Sequence, residues 1–156
     1  MKVLFLDIDG VVNKQENFNP TAKRTMYPLD SYCAFLVGKI QLDTGCEVVL
    51  SSMWRLHPDG VAEVNKSVVK LLDKTPSIYR KLETPIFQRG RQWDYSLRGD
   101  EVNAWLERHP EVTRYAILDD DRDFYDSQPL FQTTFEHGLT DEIAKQVTDY
   151  LNAEEV

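Results

Sequence analysis

Apolar residues fall along this chain in two kinds of run. Val3–Leu6, Glu47-Val48-Val49-Leu50 and Tyr115–Leu118 are short and nearly unbroken, and each ends abruptly in polar or acidic residues. That is the pattern of a buried parallel strand opening into a loop at its carboxyl end. Between them the apolar residues step by three or four. From Leu29 to Thr44, the side chains of Leu29, Tyr32, Cys33, Leu36, Val37 and Ile40 share one helical face, with Phe35 and Leu42 off it and Gly45 placed to stop the helix. A second helix is expected from about Asp59 to Leu72, and a third from Gly99-Asp100 through Leu106, stopped before Pro110. Thr140 is placed to cap a C-terminal helix, where Asp141 and Glu142 suit the helix dipole. Phe131–Phe135 and Ile78–Leu82 are candidates for further strands. Residues 13–28, polar and with two prolines, read as a loop, and residues 74–97 take no clear period.

Strands alternating with helices predict an α/β domain with a mostly parallel sheet covered on both faces. Ligands of such sheets bind outside the carboxyl ends of the strands, where this chain concentrates its reactive side chains. At 156 residues, 42% of them apolar, the chain suits a single packed domain spanning 1–156. No apolar run approaches the ~18 residues of a membrane span, so no membrane partner is expected. Lys2 leads straight into strand-like sequence without the features of a signal peptide, which makes a cytoplasmic location the default expectation. Cys33 and Cys46 lie in no metal-binding spacing and read as reduced packing residues.

The net charge of −8 argues weakly against nucleic acid, but it is unevenly spread. Residues 1–65 carry 6 basic and 8 acidic side chains, residues 66–98 carry 8 and 3, and residues 99–156 carry 4 and 15. A basic island in an acidic chain either focuses an anionic substrate onto one face or is a solvated helix face plus a basic loop.

The chemistry begins at Asp7 and Asp9, two carboxylates at a strand end. Ionised together they repel, and a bound cation or a shared proton relieves that cost. Oxygen ligands of this kind suit Mg²⁺. Asp119, Asp120, Asp121 and Asp123 follow another strand. Alone they could be a solvated acidic turn, but paired with Asp7-Ile8-Asp9-Gly10 in an α/β order they point to a metal-assisted site.

Asp7-Ile8-Asp9-Gly10-Val11, with the apolar strand before it, resembles the first motif of the haloacid dehalogenase (HAD) superfamily of phosphotransferases. Val49-Leu50-Ser51-Ser52 resembles the second motif, an apolar strand ending in Ser or Thr, and Tyr115–Leu118 with Asp119-Asp120 the fourth, acidic one. Arg98 is the choice for the third, a lone cation ahead of the acidic strand. These motifs run in the family's order over residues 3–123. Ser51-Ser52-Met53-Trp54-Arg55, the stretch from Arg98 to Leu106 and Gly138-Leu139-Thr140 are similar, more narrowly, to HAD domains of RNA-repair proteins and phages. A response-regulator receiver would put its phosphorylated Asp on a later strand and then need Ser/Thr and Lys in that order, an order absent here.

The resemblance implies a Rossmann-like fold without a full cap domain and a covalent mechanism. Asp7 would attack phosphorus and Asp9 would serve as acid, then base. It implies phosphate contacts from Gly10, Ser51, Ser52 and Arg98, and Mg²⁺ held by Asp7, the carbonyl of Asp9, and Asp119 or Asp120, with Asp120 the favoured direct ligand. Arg55, four residues after Ser51, is either a bidentate phosphate contact or an ordinary surface arginine. Trp54 and Trp105 read as packing residues. Trp93, among Arg89, Arg91 and Tyr95, is either packing or a surface on which a base stacks. The 13–28 loop and the 74–97 segment are expected to face the substrate. Residues 13–28 are too short for a folded cap, residues 56–97 could hold a helix and a loop but hardly an independent cap domain, and an open site would admit a large substrate. A nucleotide or nucleic-acid end bearing a terminal phosphate is the expected substrate; a small metabolite or phosphoprotein is the alternative. A non-catalytic binding module is a third reading, which would have no need of all these groups.

Overall fold

The computed structural model describes residues 1–18, 21, 27–81, 93–95 and 98–154. Five strands form one parallel sheet: β1 (Lys2–Leu6), β2 (Glu47–Leu50), β3 (Asp73–Lys74), β6 (Arg114–Asp119) and β7 (Leu130–Gln132), in the order β3-β2-β1-β6-β7. Two short strands, β4 (Tyr79–Lys81) and β5 (Trp93–Tyr95), pair separately as an antiparallel ribbon. The helices are α1 (Ser31–Thr44), α2 (Pro58–Ser67), α3 (Arg98–Leu106) and α4 (Asp141–Asn152).

Strand residues alternate between the two faces of the sheet, and each face has its own core. Leu4, Leu6, Val48, Leu50, Ala116 and Leu118 pack with the buried faces of α1, α2 and α4. Val3, Phe5, Val49 and Ile117 point the other way, onto Val102 and Trp105 of α3. The period of two in a strand buried on both faces explains why these runs read as continuously apolar. Phe5 anchors the α3 side, with edge-to-face contacts to Trp105 at 5.4 Å and Tyr115 at 5.8 Å. In α1, Cys33, Leu36, Val37 and Ile40 are buried while Phe35 and Leu42 are exposed, as the stripe predicts. Tyr32 departs from it: it is exposed and its hydroxyl donates to Asp141 on α4. Gly45 ends α1 in the left-handed conformation (φ 65°), and Thr140 caps α4 through Ile143 N–H.

Three expectations need correction. The helix expected to run to Leu72 stops at Ser67, because the chain is captured by the sheet: Leu72 N–H donates to Val48 O, Thr75 N–H to Leu50 O, and the short β3 lies between them. The strand expected at Phe131–Phe135 occupies Leu130–Gln132, and the chain then turns at Thr134–Gly138, leaving Phe135 exposed. The strand placed at Ile78–Leu82 is β4, Tyr79–Lys81. Most of the basic and aromatic stretch, including Arg89 and Arg91, lies outside the described residues. Among the described residues, no helix is long and apolar enough to cross a membrane.

Phe5→Ala would strip the α3 face of its central ring. It is expected to cost about 3–5 kcal/mol of unfolding free energy, as for other buried aromatic truncations, read from urea denaturation with the slope unchanged.

Candidate active site

The strand order reverses between β1 and β6, and at such a switch point the connections leave in opposite directions and open a crevice. Asp7 follows β1, Ser51 follows β2 and Asp119 ends β6. The sheet ladder continues past the strands to hold all three: Asp7 N–H donates to Leu118 O (2.9 Å), Ser51 N–H to Leu6 O (2.9 Å), and Asp119 O accepts from Thr133 N–H (3.0 Å). The reactive positions are therefore set by the rigid part of the fold.

Arg98, the first residue of α3, reaches into this group. Its Nη1 donates to Asp7 Oδ1 (3.0 Å) and Ser51 O (2.9 Å) and lies 3.6 Å from Asp119 Oδ2. The start of α3 is held by Asp123, whose side chain accepts from Arg98 N–H and whose carbonyl accepts from Gly99 N–H. Asp123 thus completes a helix N-terminus rather than joining the carboxylates.

Asp7, Asp119 and Asp120 each offer an oxygen within 4.8 Å of the others. Burial foremost pushes the carboxyl of Asp7 above the ordinary range. Asp120 and Asp9 add to the rise and Arg98 opposes it. Burial also raises Asp119, reinforced by Asp7, and Asp120. Arg98 stays protonated because Asp7 and Asp119 outweigh the desolvation that opposes its charge. Fully ionised, the three acids and Arg98 sum to −2, the charge that a divalent cation neutralises. Asp119 Oδ2 is buried without a hydrogen-bond partner among the described residues, so it has a lone pair to give. An all-oxygen donor set with a spare buried carboxylate oxygen fits Mg²⁺.

Gly10 adopts φ 81°, and a Cβ there would collide with the Asp120 carboxylate. Its carbonyl accepts from Thr133 Oγ1 (2.7 Å) and its N–H donates to Asn13 Oδ1 (3.0 Å). The glycine supplies room for Asp120, while its amide is engaged within the turn instead of being offered to phosphate. Ser51 Oγ is buried and has no partner among the described residues, which leaves it available to a ligand. Ser52 is different: its hydroxyl accepts from Trp54 N–H and caps the short 3₁₀ turn Met53–Leu56.

Arg55 is not brought into this group. It is 3% exposed, donates from Nη1 to the carbonyls of Ser51 and Ser52, and pairs through Nη2 with Glu101 Oε2 at 2.7 Å. It is neither a surface arginine nor a guanidinium presented to phosphate, but a buried brace between the Ser51 turn and α3. Two further residues, assigned to the site by no motif in the sequence, grip Asp9. Asp9 accepts from Asn13 Nδ2 on Oδ1 (2.8 Å) and from Trp54 Nε1 on Oδ2 (3.1 Å). Their positions, four after Asp9 and three after Ser51, were the available signal. Cys33 and Cys46 are buried free thiols raised in pKa by desolvation, in keeping with packing roles.

The family model described as HAD domain in Swiss Army Knife RNA repair proteins matches residues 3–144, nearly the whole chain. The chain belongs to this HAD family. The parallel sheet with its four helices is accordingly a HAD Rossmann-like domain, and at the superfamily level the chain is a HAD-type hydrolase. No curated protein and no solved structure matches it.

The raised carboxyls of this HAD domain make its stability depend on pH. The folded chain keeps protons on Asp7 and Asp119 that the unfolded chain releases near pH 4, so the native state binds more protons above that pH. Stability of the metal-free protein should therefore fall as pH rises from about 4, through the raised value of about 6 for Asp7, to that of about 8 for Asp119. Asp119→Asn removes one buried charge and is expected to raise the melting temperature of metal-free protein at pH 8, by about 2–4 °C per kcal/mol relieved. The same substitution should shrink the thermal shift produced by Mg²⁺. Calorimetry with and without chelator checks both.

Proposed function

We propose that this HAD domain is a Mg²⁺-dependent phosphomonoesterase acting through an aspartyl-phosphate on Asp7. The observation that carries the reading is the buried Asp7 carboxylate at the switch point, touched by Arg98 and flanked by Asp119 and Asp120. A buried acid paired with a cation and set among other acids is costly to stability, and is expected where chemistry uses it.

In this reading an Asp7 oxygen forms a bond to phosphorus as the bond from phosphorus to the ester oxygen breaks, and Asp9 gives its proton to the departing oxygen. Asp9 then takes a proton from water, whose oxygen attacks the phosphorus of the aspartyl-phosphate. Phosphate leaves and the Asp7 carboxylate is restored. Arg98, fixed by Asp7 and Ser51 O, places positive charge beside the transferring group, and the Ser51 hydroxyl, without a partner among the described residues, donates to one of its oxygens. Asp7, Asp119 and Asp120, with the Asp9 carbonyl, would hold the Mg²⁺, which supplies charge neutralisation for the phosphoryl oxygens. Asp120 and Asp119 both qualify by position as direct ligands.

For substrate, the family description names RNA repair proteins. That agrees with the basic stretch at 66–98 in an otherwise acidic chain. A nucleotide or nucleic-acid end carrying a terminal phosphate is the preferred substrate class, and a cytoplasmic setting suits such a role.

With Mg²⁺, the protein should hydrolyse a generic aryl phosphate, and Asp7→Asn should lower kcat at least about 10⁴-fold, as expected for loss of a covalent nucleophile. Wild-type activity in Asp7→Asn would sink the mechanism. Among 3′- and 5′-phosphorylated oligonucleotides, mononucleotides and sugar phosphates, an oligonucleotide or mononucleotide should give the highest kcat/KM. Equal or faster turnover of sugar phosphates would refute the substrate assignment.

A further inference from the structure

Asp9 is treated by this fold differently from its neighbours. Asp7, Asp119 and Asp120 share one cluster beside Arg98, whereas the Asp9 carboxylate is held by two neutral donors, one on each oxygen. We infer that Trp54 and Asn13 are positioning residues that fix the Asp9 carboxyl for proton transfer to the leaving oxygen. The inference rests on the phosphomonoesterase reading above and adds to it which residues aim the acid.

Both donors are themselves locked. The Trp54 ring is buried at 4% exposure, its backbone N–H is bound by Ser52 Oγ, and the next residue, Arg55, is clamped by Glu101 and by the carbonyls of Ser51 and Ser52. The indole N–H therefore projects from a 3₁₀ turn tied at both ends. Asn13 is fully buried, and its amide has only one workable orientation. Gly10 N–H can be received only by Oδ1, so Nδ2 must face Asp9. A carboxylate gripped at both oxygens cannot rotate freely about its terminal torsion, yet each oxygen keeps a second lone pair on which the transferred proton can reside. Neither donor adds charge. An acid must stand within hydrogen-bond reach of the oxygen that it protonates, and a misplacement of about 1 Å can cost about 10²-fold.

Orientation of an acid matters in proportion to how badly the leaving oxygen needs a proton. An alkoxide leaving from an alkyl phosphate needs it, and an activated phenolate such as 2,4-dinitrophenolate hardly does. The test is kcat/KM with Mg²⁺ for a simple alkyl phosphate and for 2,4-dinitrophenyl phosphate, each in wild type, Trp54→Phe and Asn13→Ala. This parameter reports steps up to departure of the leaving group, and the ratio of two rates on one preparation does not depend on the fraction folded. The alkyl-to-aryl ratio should fall about tenfold or more in Trp54→Phe and in the same direction in Asn13→Ala, a part of the about 10²–10⁴ that a general acid supplies. An unchanged ratio, with both substrates slowed alike, would leave Trp54 a packing residue and overturn the inference while the phosphatase reading stands. Failure of wild type to turn over either substrate would overturn both.

Discussion

Two buried carboxylates on adjacent strands cannot both ionise without positive charge between them. Asp7 and Asp119 come within 4.8 Å at the point where the strand order reverses, between β1 and β6. At an effective dielectric near 20, two such charges repel by about 3–4 kcal/mol before any cost of burial. The only protein cation bonded to Asp7 among the described residues is Arg98, from the first turn of α3. That one guanidinium reaches Asp7, Asp119 and the Ser51 carbonyl, and so draws strand ends β1, β2 and β6 onto a single point. With three acids against one arginine the balance stays negative, and a divalent cation is the natural complement.

Much of the surrounding structure serves to hold Arg98 where it is. Trp105 and Val102 seat α3 on Phe5, Val49 and Ile117. Asp123 holds its N-terminus, and Gln128 Nε2 donates to Gly99 O within it. Glu101, one turn on from Arg98, pairs with Arg55 and accepts from Ile78 N–H, tying α3 to the Ser51 turn and to the start of the β4–β5 ribbon. A buried ion pair contributes little net stability, but breaking one costs about 3–5 kcal/mol. The Arg55–Glu101 pair is better understood as a constraint on geometry, since it fixes the turn from which Trp54 reaches Asp9.

What the sequence disclosed and what it concealed follow from the range of each interaction. The strand ends were legible because a parallel strand buried on both faces is a continuous apolar run, and its termination in Asp7, Ser51 or Asp119 is a local event. Arg98 was marked only by the family resemblance, as a cation ahead of the acidic strand, and its reach to Asp7 depends on where the fold sets α3. β3 was hidden because two residues, Asp73 and Lys74, join the sheet by backbone bonds to β2 alone and bury no side chain. Arg55 was misleading for the opposite reason. Its spacing from Ser51 suggested phosphate, while the partner that claims it, Glu101, lies 46 residues away. Trp54 and Asn13 were concealed likewise, since an indole N–H and an amide carry no periodicity and acquire meaning only when the fold brings Asp9 to them.

In the proposed mechanism Asp7 carries the phosphoryl group. Rapid acid quenching of Mg²⁺-loaded wild-type protein during turnover, followed by borohydride reduction and peptide mass spectrometry, tests it most directly. Asp7, and no other acid, should be converted to homoserine, because reduction of an acyl phosphate leaves the alcohol. Reduction at Asp9, Asp119 or Asp120, or steady turnover with Asp7 unmodified at every quench time, would contradict it.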